Sequence, residues 1–241
     1  MICFSVKIAD VVFGICANYP ETKAFFAHFS SEEQEEHQIT VSAEDIAFFR
    51  RQFPQFTDAL CERAVVKYRM DKLLVDHGAF PFHASALSFL GEAYVFTALS
   101  GVGKSTHARL WQQAFADDVV MINDDRPYIK VVGDRAYAYS HPQSGKHHIY
   151  TNTAAPIRVI GKIVRDRQNF VKPISKAAFF PFFVQQTFTM DEAQTTAKII
   201  ALQRKVLDCV RLYEIHCNTD PDAGAIICRQ LCTDMNSRTT V

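Results

Sequence analysis

Residues 94–105 read Tyr-Val-Phe-Thr-Ala-Leu-Ser-Gly-Val-Gly-Lys-Ser. A short apolar run, the pattern of a buried strand, flows into a glycine turn closed by a lysine and a hydroxyl residue. Gly101 and Gly103 let successive backbone N–H groups converge on an anion. Lys104 would neutralise the β and γ phosphates of a nucleotide, and the Ser105 hydroxyl would ligate Mg²⁺. The pattern departs from G-x-x-x-x-G-K-[ST] at its first position, where Ala98 stands. The stretch reads as a phosphate-binding loop, with Ser100, Gly101, Val102, Gly103, Lys104, Ser105 and Thr106 as its nucleotide-binding residues.

Outward from the loop, residues 106–115 contain no Gly or Pro and space Ala108, Leu110, Trp111 and Phe115 at roughly helical intervals. The loop is thus expected to open a helix. Residues 119–122, Val-Val-Met-Ile, predict a short strand that ends in Asn123-Asp124-Asp125-Arg126-Pro127. In a strand–helix–strand unit with parallel strands, both carboxyl ends lie at one sheet edge, where ligands bind. Asp124 and Asp125 would then return beside Lys104 and Ser105. One carboxylate can hold a metal while its neighbour takes a proton from an attacking hydroxyl, and the residues alone do not say which does which. A solvated Asp-Asp turn is the other reading.

These residues resemble the HPr kinase/phosphorylase family, which shares a core with the phosphoenolpyruvate carboxykinases. Phe82-His83-Ala84-Ser85-Ala86 is similar to the histidine-led strand of HPr kinases. Leu99-Ser100-Gly101-Val102-Gly103-Lys104-Ser105 resembles the carboxykinase loop, and Asn123-Asp124-Asp125-Arg126 resembles the Asp-Asp-Arg and Asp-Asp-Glu of the two groups. Ser144-Gly145-Lys146 is similar to a tripeptide of small bacterial kinase-like relatives. The likeness covers about residues 78–170. It implies an α/β fold with a P-loop nucleotide-binding core of the HPr kinase/carboxykinase type. It also implies transfer of phosphate from ATP to a hydroxyl, with Asp124 or Asp125 as base, His83 in support and Lys146 as a further phosphate or anion contact. Read alone, His83 in its apolar segment is equally a satisfied core histidine. An arginine that touches the transferring phosphoryl group is implied too, for which Arg165 and Arg167 are both open. At 241 residues the chain is short for a full carboxykinase. A counterpart to the helical region with which HPr kinases dock their protein substrate is not recognised, so the acceptor stays open.

With 48% hydrophobic and 22% charged residues, the composition is that of a globular domain with a substantial core. Lys plus Arg balance Asp plus Glu at 26 each, which gives no support for a nucleic-acid or anionic-membrane surface. The first residues lack the order of a signal peptide, and no apolar run approaches the ~20 residues needed to span a bilayer. The expectation is a soluble, cytoplasmic protein, with homo-oligomerisation left open. The seven cysteines form no C-x-x-C pair and are expected as small buried thiols. Cys228 and Cys232 would share a helix face without further zinc ligands, and adjacent His147 and His148 would point apart on a strand.

Residues 1–77 are expected to form a small α+β accessory lobe with a lead-in helix, and residues 78–241 the kinase-like core. The lobe opens on a strand in which Phe4, Val6 and Ile8 alternate with Ser5, Lys7 and Ala9. Residues 30–37 are polar and predict an exposed loop. Ser42 caps a helix carrying Ile46, Phe49 and Phe53, and residues 56–77 predict a longer amphipathic one. Residues 128–139 predict a hairpin turning at Gly133-Asp134. Phe179-Phe180-Pro181-Phe182-Phe183 reads as core packing or as an exposed patch for a peptide. A helix over 190–207, a strand over 210–216 and a helix over 222–232 complete the chain.

Two functions of different class follow. One is an Mg²⁺-dependent kinase acting on a hydroxyl of a small molecule or of a serine in a peptide or protein, with ATP, GTP or pyrophosphate as donor. The other is an ATP-binding regulatory module without transfer. Paired aspartates favour the kinase, because binding alone needs one metal-side carboxylate.

Overall fold

Met1–Phe80 and Pro81–Val241 form two contact units in the computed structural model, which describes residues 1–143, 150–187 and 192–237. In the first unit, β1 (Ile2–Ile8) pairs antiparallel with β2 (Val11–Ala17) through a two-residue turn, Ala9-Asp10, in which both φ angles are positive. That is the turn geometry whose twist matches a hairpin. Val6 and Ile8 point into the core, as the alternation requires. After the short helix α1 (Pro20–Phe26), β3 (His37–Thr40) joins β2 in parallel. The polar segment before it is a loop whose Glu33 pairs with Lys7 at 2.8 Å.

α2 (Ala43–Gln52) starts on a full capping box, Ser42 and Asp45 each accepting from the other's backbone N–H. α3 (Asp58–Asp76) is capped by Thr57, one residue inside the expected start. Its buried Glu62 accepts from Asn18 N at 2.6 Å, Tyr19 N at 3.1 Å and Thr22 Oγ1 at 2.7 Å, which ties α3 to the N-terminus of α1. Cys3 and Cys16 face each other across β1 and β2 and form a disulfide. This corrects the expectation of seven thiols: spacing along the chain could not show that a hairpin register would put these two side by side. The other five remain thiols.

A three-residue strand, β4 (Ala79–Pro81), crosses the boundary. The second unit then continues β5 (Ala84–Phe89), β6 (Glu92–Thr97), α4 (Lys104–Phe115), β7 (Val119–Asn123), β8 (Tyr128–Val132), β9 (Arg135–Tyr139), β10 (Ala154–Arg165), β11 (Phe170–Pro173), α5 (Lys176–Gln185), α6 (Ala193–Cys209), β12 (Arg211–Cys217) and α7 (Ala223–Ser237). The sheet order is β8-β9-β10-β6-β5-β7. β10 changes partner along its length, Ala154–Pro156 lying antiparallel to β9 and Val159–Arg165 parallel to β12, which also pairs with β11. β6 and β7 run the same way but are not neighbours, because β5 lies between them antiparallel to both. The ends of β6 and β7 and the start of β5 therefore meet at one edge: Thr97 pairs with Ala84, and Asn123 with Ala86.

Trp111 of α4 is wholly buried against Phe89, Tyr94 and Phe96, which fixes the helix on the sheet. α7 packs on α4, and Gly224 is what permits the approach: a Cβ there would meet the Leu110 carbonyl at 2.7 Å. The phenylalanine patch forms part of α5, with Phe179 and Phe183 fully buried and Phe180 and Phe182 half-buried, so its main role is packing. No helix among the described residues is long and apolar enough to cross a membrane.

Candidate functional site

The turn between β6 and α4 occupies the shared sheet edge. Gly101 (φ +78°) and Gly103 (φ +128°) take backbone conformations that side chains resist, and Val102 N closes on Leu99 O at 3.2 Å. Gly103 is the N-cap of α4, so Lys104, Ser105 and Thr106 form the helix's first turn, which contains no acidic residue. Exposed Ser100 and half-buried Val102 complete the turn. A helix N-terminus and a lysine make this a place where an oxyanion is favoured.

Lys104 is nearly buried, and its Nζ lies 2.9 Å from His83 Nε2. On the other side of the ring, His83 Nδ1 lies 2.8 Å from the Gln186 side-chain oxygen. A carbonyl oxygen can only accept, so Nδ1 carries the proton and the Nε2 lone pair receives the ammonium. Burial is the first cause holding both His83 and Lys104 below their usual pKa ranges. The Asp125 carboxylate acts on both in the opposite sense, while Lys104 and Arg126 add to the depression of His83. His83 is thus an imidazole oriented at both ring nitrogens. Its backbone is held as well, its N–H donating to Gln186 O at 3.0 Å and its carbonyl accepting from Thr97 Oγ1 at 3.0 Å.

Ser105 Oγ donates to the backbone carbonyl of Asp124 at 3.2 Å, and Ser85 Oγ to the same carbonyl at 2.9 Å. Asp124 is buried and Asp125 half-buried. The segment that carries them is shaped by Asn123, whose side-chain oxygen accepts from Asp125 N at 3.0 Å and Arg126 N at 2.6 Å, while its Nδ2 donates to His141 O and Gln143 O, each at 3.0 Å. Ala84 N donates to Asp125 O at 3.1 Å, so β5 holds the same turn from the other side.

The structure thus brings His83, Lys104, Ser105, Asp124 and Asp125 to one edge. It also separates the two arginines. Arg165, at the end of β10, donates through Nε to Val102 O at 2.9 Å and through a terminal nitrogen to Gly101 O at 2.5 Å, whereas Arg167 offers its carbonyl to Asn218 Nδ2 at 3.2 Å. Lys146, with Ser144, Gly145, His147 and His148, lies outside the described residues. Ser85 and Asn123 stand inside the strings that mark the site, but their roles need the fold to be seen. Gln186 carries no sequence signal at all. Cys228 and Cys232 interact with each other, the Cys228 thiol being pushed up to about 12 by burial first and by Cys232 second. Among the described residues, His, Cys, Asp and Glu side chains form no group of three or more able to hold a metal.

No protein-family model matches the sequence, and no curated protein matches it. Among solved structures, the chain is similar to the Hpr(Ser) kinase/phosphatase from Coxiella burnetii, with a TM-score of 0.38 and 10% identity over 66% of this chain and 98% of that one. At that TM-score the likeness does not define the fold.

Proposed function

We propose that the chain is an Mg²⁺-dependent kinase that moves the γ-phosphoryl of ATP onto a hydroxyl of a small molecule or of a serine in a peptide or protein. The observation that carries this reading is the meeting of two strand ends: Lys104 Nζ within 2.9 Å of His83, and Ser105 Oγ within 3.2 Å of the Asp124 backbone. The resemblance of the loop and of the Asp-Asp pair to HPr kinases points the same way.

The phosphates would lie on the amides of residues 100–106, where Lys104 exchanges His83 for the more strongly charged oxyanion. That exchange frees Nε2 of an imidazole still oriented by Gln186. Ser105 Oγ and an Asp124 carboxylate oxygen are hard donors of the kind Mg²⁺ accepts, and Mg²⁺ keeps waters and substrate phosphates as its other ligands, so the donor set fits. The metal would neutralise charge on the β and γ phosphates. Asp125, whose charge reaches both Lys104 and His83, is assigned as base. As the acceptor oxygen bonds to the γ phosphorus, the bond to the β-bridging oxygen breaks, ADP leaves and the hydroxyl proton passes to Asp125. The soluble, cytoplasmic setting expected from the sequence suits such a reaction.

γ-Labelled ATP with Mg²⁺, supplied to a cell extract together with the pure protein, tests this. One species labelled by the wild type and not by Lys104→Ala is expected. Nucleotide binding with no label transferred in any extract would instead favour an ATP-binding regulatory module.

A further inference from the structure

Lys104 Nζ donates to the Nε2 lone pair of His83 at 2.9 Å, and this contact covers a nucleophilic nitrogen at the mouth of the loop. Phosphates that draw the ammonium away uncover it. An oxyanion takes a lysine at about 2.7–2.9 Å, so a γ-phosphate oxygen on Lys104 brings its phosphorus beside Nε2. Nucleophile and reacting centre must then close to about 3–3.5 Å. A cavity of about 320 Å³ is lined by both His83 and Ser100, which leaves room for a phosphoryl group between the ring and the loop.

The ring is set for that direction. Gln186 Oε1 accepts from Nδ1 at 2.8 Å, while the His83 backbone donates to Gln186 O and accepts from Thr97 Oγ1, each at 3.0 Å. Nδ1 is committed to its hydrogen bond, and Nε2 is the nitrogen that faces Lys104. Burial, the first cause holding the ring below its usual pKa range, also favours the form that carries a lone pair. A histidine nitrogen attacks without help from a base, whereas a hydroxyl must shed a proton as it attacks. His107, three residues beyond Lys104 on α4, is enclosed and accepts from Trp111 Nε1, so it offers the loop no such atom.

Resting on the kinase reading above, we infer that His83 is a phosphorylation site of the chain's own reaction. With Mg²⁺ and ATP bound and no hydroxyl acceptor seated, the γ-phosphoryl passes to Nε2. The Nε2 lone pair bonds to the γ phosphorus as the bond from that phosphorus to the β-bridging oxygen breaks, and the electron pair leaves on ADP. Nδ1 keeps its proton, and Gln186 Oε1 meets the positive charge that the ring gains. The products are a phosphoramidate on His83 and free ADP. A seated hydroxyl, its proton taken by Asp125, competes for the same phosphorus.

The test incubates the pure full chain with γ-labelled ATP and Mg²⁺, without extract or any other acceptor. Label on the protein is followed through acid and through alkali, since a phosphoramidate is lost in acid and kept in alkali while a serine ester behaves the opposite way. The labelled peptide is then mapped by mass spectrometry. Acid-labile, alkali-stable label in the peptide that contains His83 is expected. His83→Asn should lower it at least tenfold while its ADP affinity, read by calorimetry, changes less than threefold. The peptide map is made on the wild type, so it decides the matter even where the variant misfolds. Acid-stable label, label mapped to another residue, or undiminished label in His83→Asn overturns the inference and leaves the kinase reading standing. So does an unlabelled chain in a preparation that labels an extract. A chain that binds ATP yet labels neither itself nor any extract overturns the inference together with the kinase reading.

Discussion

His83 is held at both ring nitrogens, and that constrains its titration. Burial, then Lys104 and Arg126, keep it below its usual range against the opposing pull of Gln186 and Asp125, so the ring takes up its proton at lower pH than a free imidazole. Any fall in transfer rate that follows this ring should therefore set in at lower pH than for an unperturbed essential imidazole, whose contribution halves near about 6.5, as a rate profile between about pH 8 and 5 would show. Gln186→Leu leaves the Nδ1–H of the half-buried ring without its acceptor and should cost about 1 kcal/mol of stability in urea titrations, with kcat falling more than ADP affinity. His107 tests the same physics away from the loop. It is wholly enclosed, accepts from Trp111 Nε1 at 3.1 Å and is pushed down to about 3 by burial. The unfolded chain, with a value near 6.5, takes up the proton first. The stability this residue supports is therefore complete above pH 6.5 and is lost as pH falls toward 3. His107→Gln keeps an acceptor for Trp111 and should reduce the stability lost between pH 7 and 5 by about 2 kcal/mol, read from urea midpoints. Lys104, Ser105, Asp124 and Asp125 were legible because each stands in a contiguous string with its own chemistry. Gln186 was not, because it meets His83 across 103 residues, and a lone glutamine has no pattern.

At the scale of elements, period and caps made most helices and strands legible: Ser42 and the run before Gly101 each announce a boundary. What they could not announce is adjacency. β5 slips between β6 and β7, and β10 changes partner halfway, because pairing is decided by which faces can be buried together. Arg165 and Arg167 are alike in sequence, and only the end of β10 tells them apart. Arg165→Ala should weaken ADP binding three- to tenfold in calorimetry by loosening the loop, with little change in melting temperature because the side chain is exposed. Gly224, inside α7, is the surface by which that helix meets α4. Gly224→Ala would drive a methyl against the Leu110 carbonyl at 2.7 Å and Trp111 N at 2.9 Å, and a loss of about 1–3 kcal/mol is expected in denaturant melts.

At the scale of the whole molecule, the chain divides at Phe80 into a disulfide-bearing sheet-and-helix unit and a larger α/β unit that holds every described candidate residue. The Cys3–Cys16 bond closes a loop of a size for which chain entropy gives about 3 kcal/mol, and a reducing compartment would keep the pair as thiols. Thiol titration of oxidised protein in denaturant should find five groups and, after reduction, seven. The central claim concerns the larger unit and rests on the separate roles of Asp124 and Asp125. The direct measurement is single-turnover transfer from ATP to an identified acceptor in Asp125→Asn, alongside its affinity for ADP with Mg²⁺. Transfer should fall by a factor of about 10² to 10⁴ with nucleotide affinity nearly unchanged. Transfer at the wild-type rate in both Asp125→Asn and Asp124→Asn would contradict the assignment of this edge as a phosphoryl-transfer site.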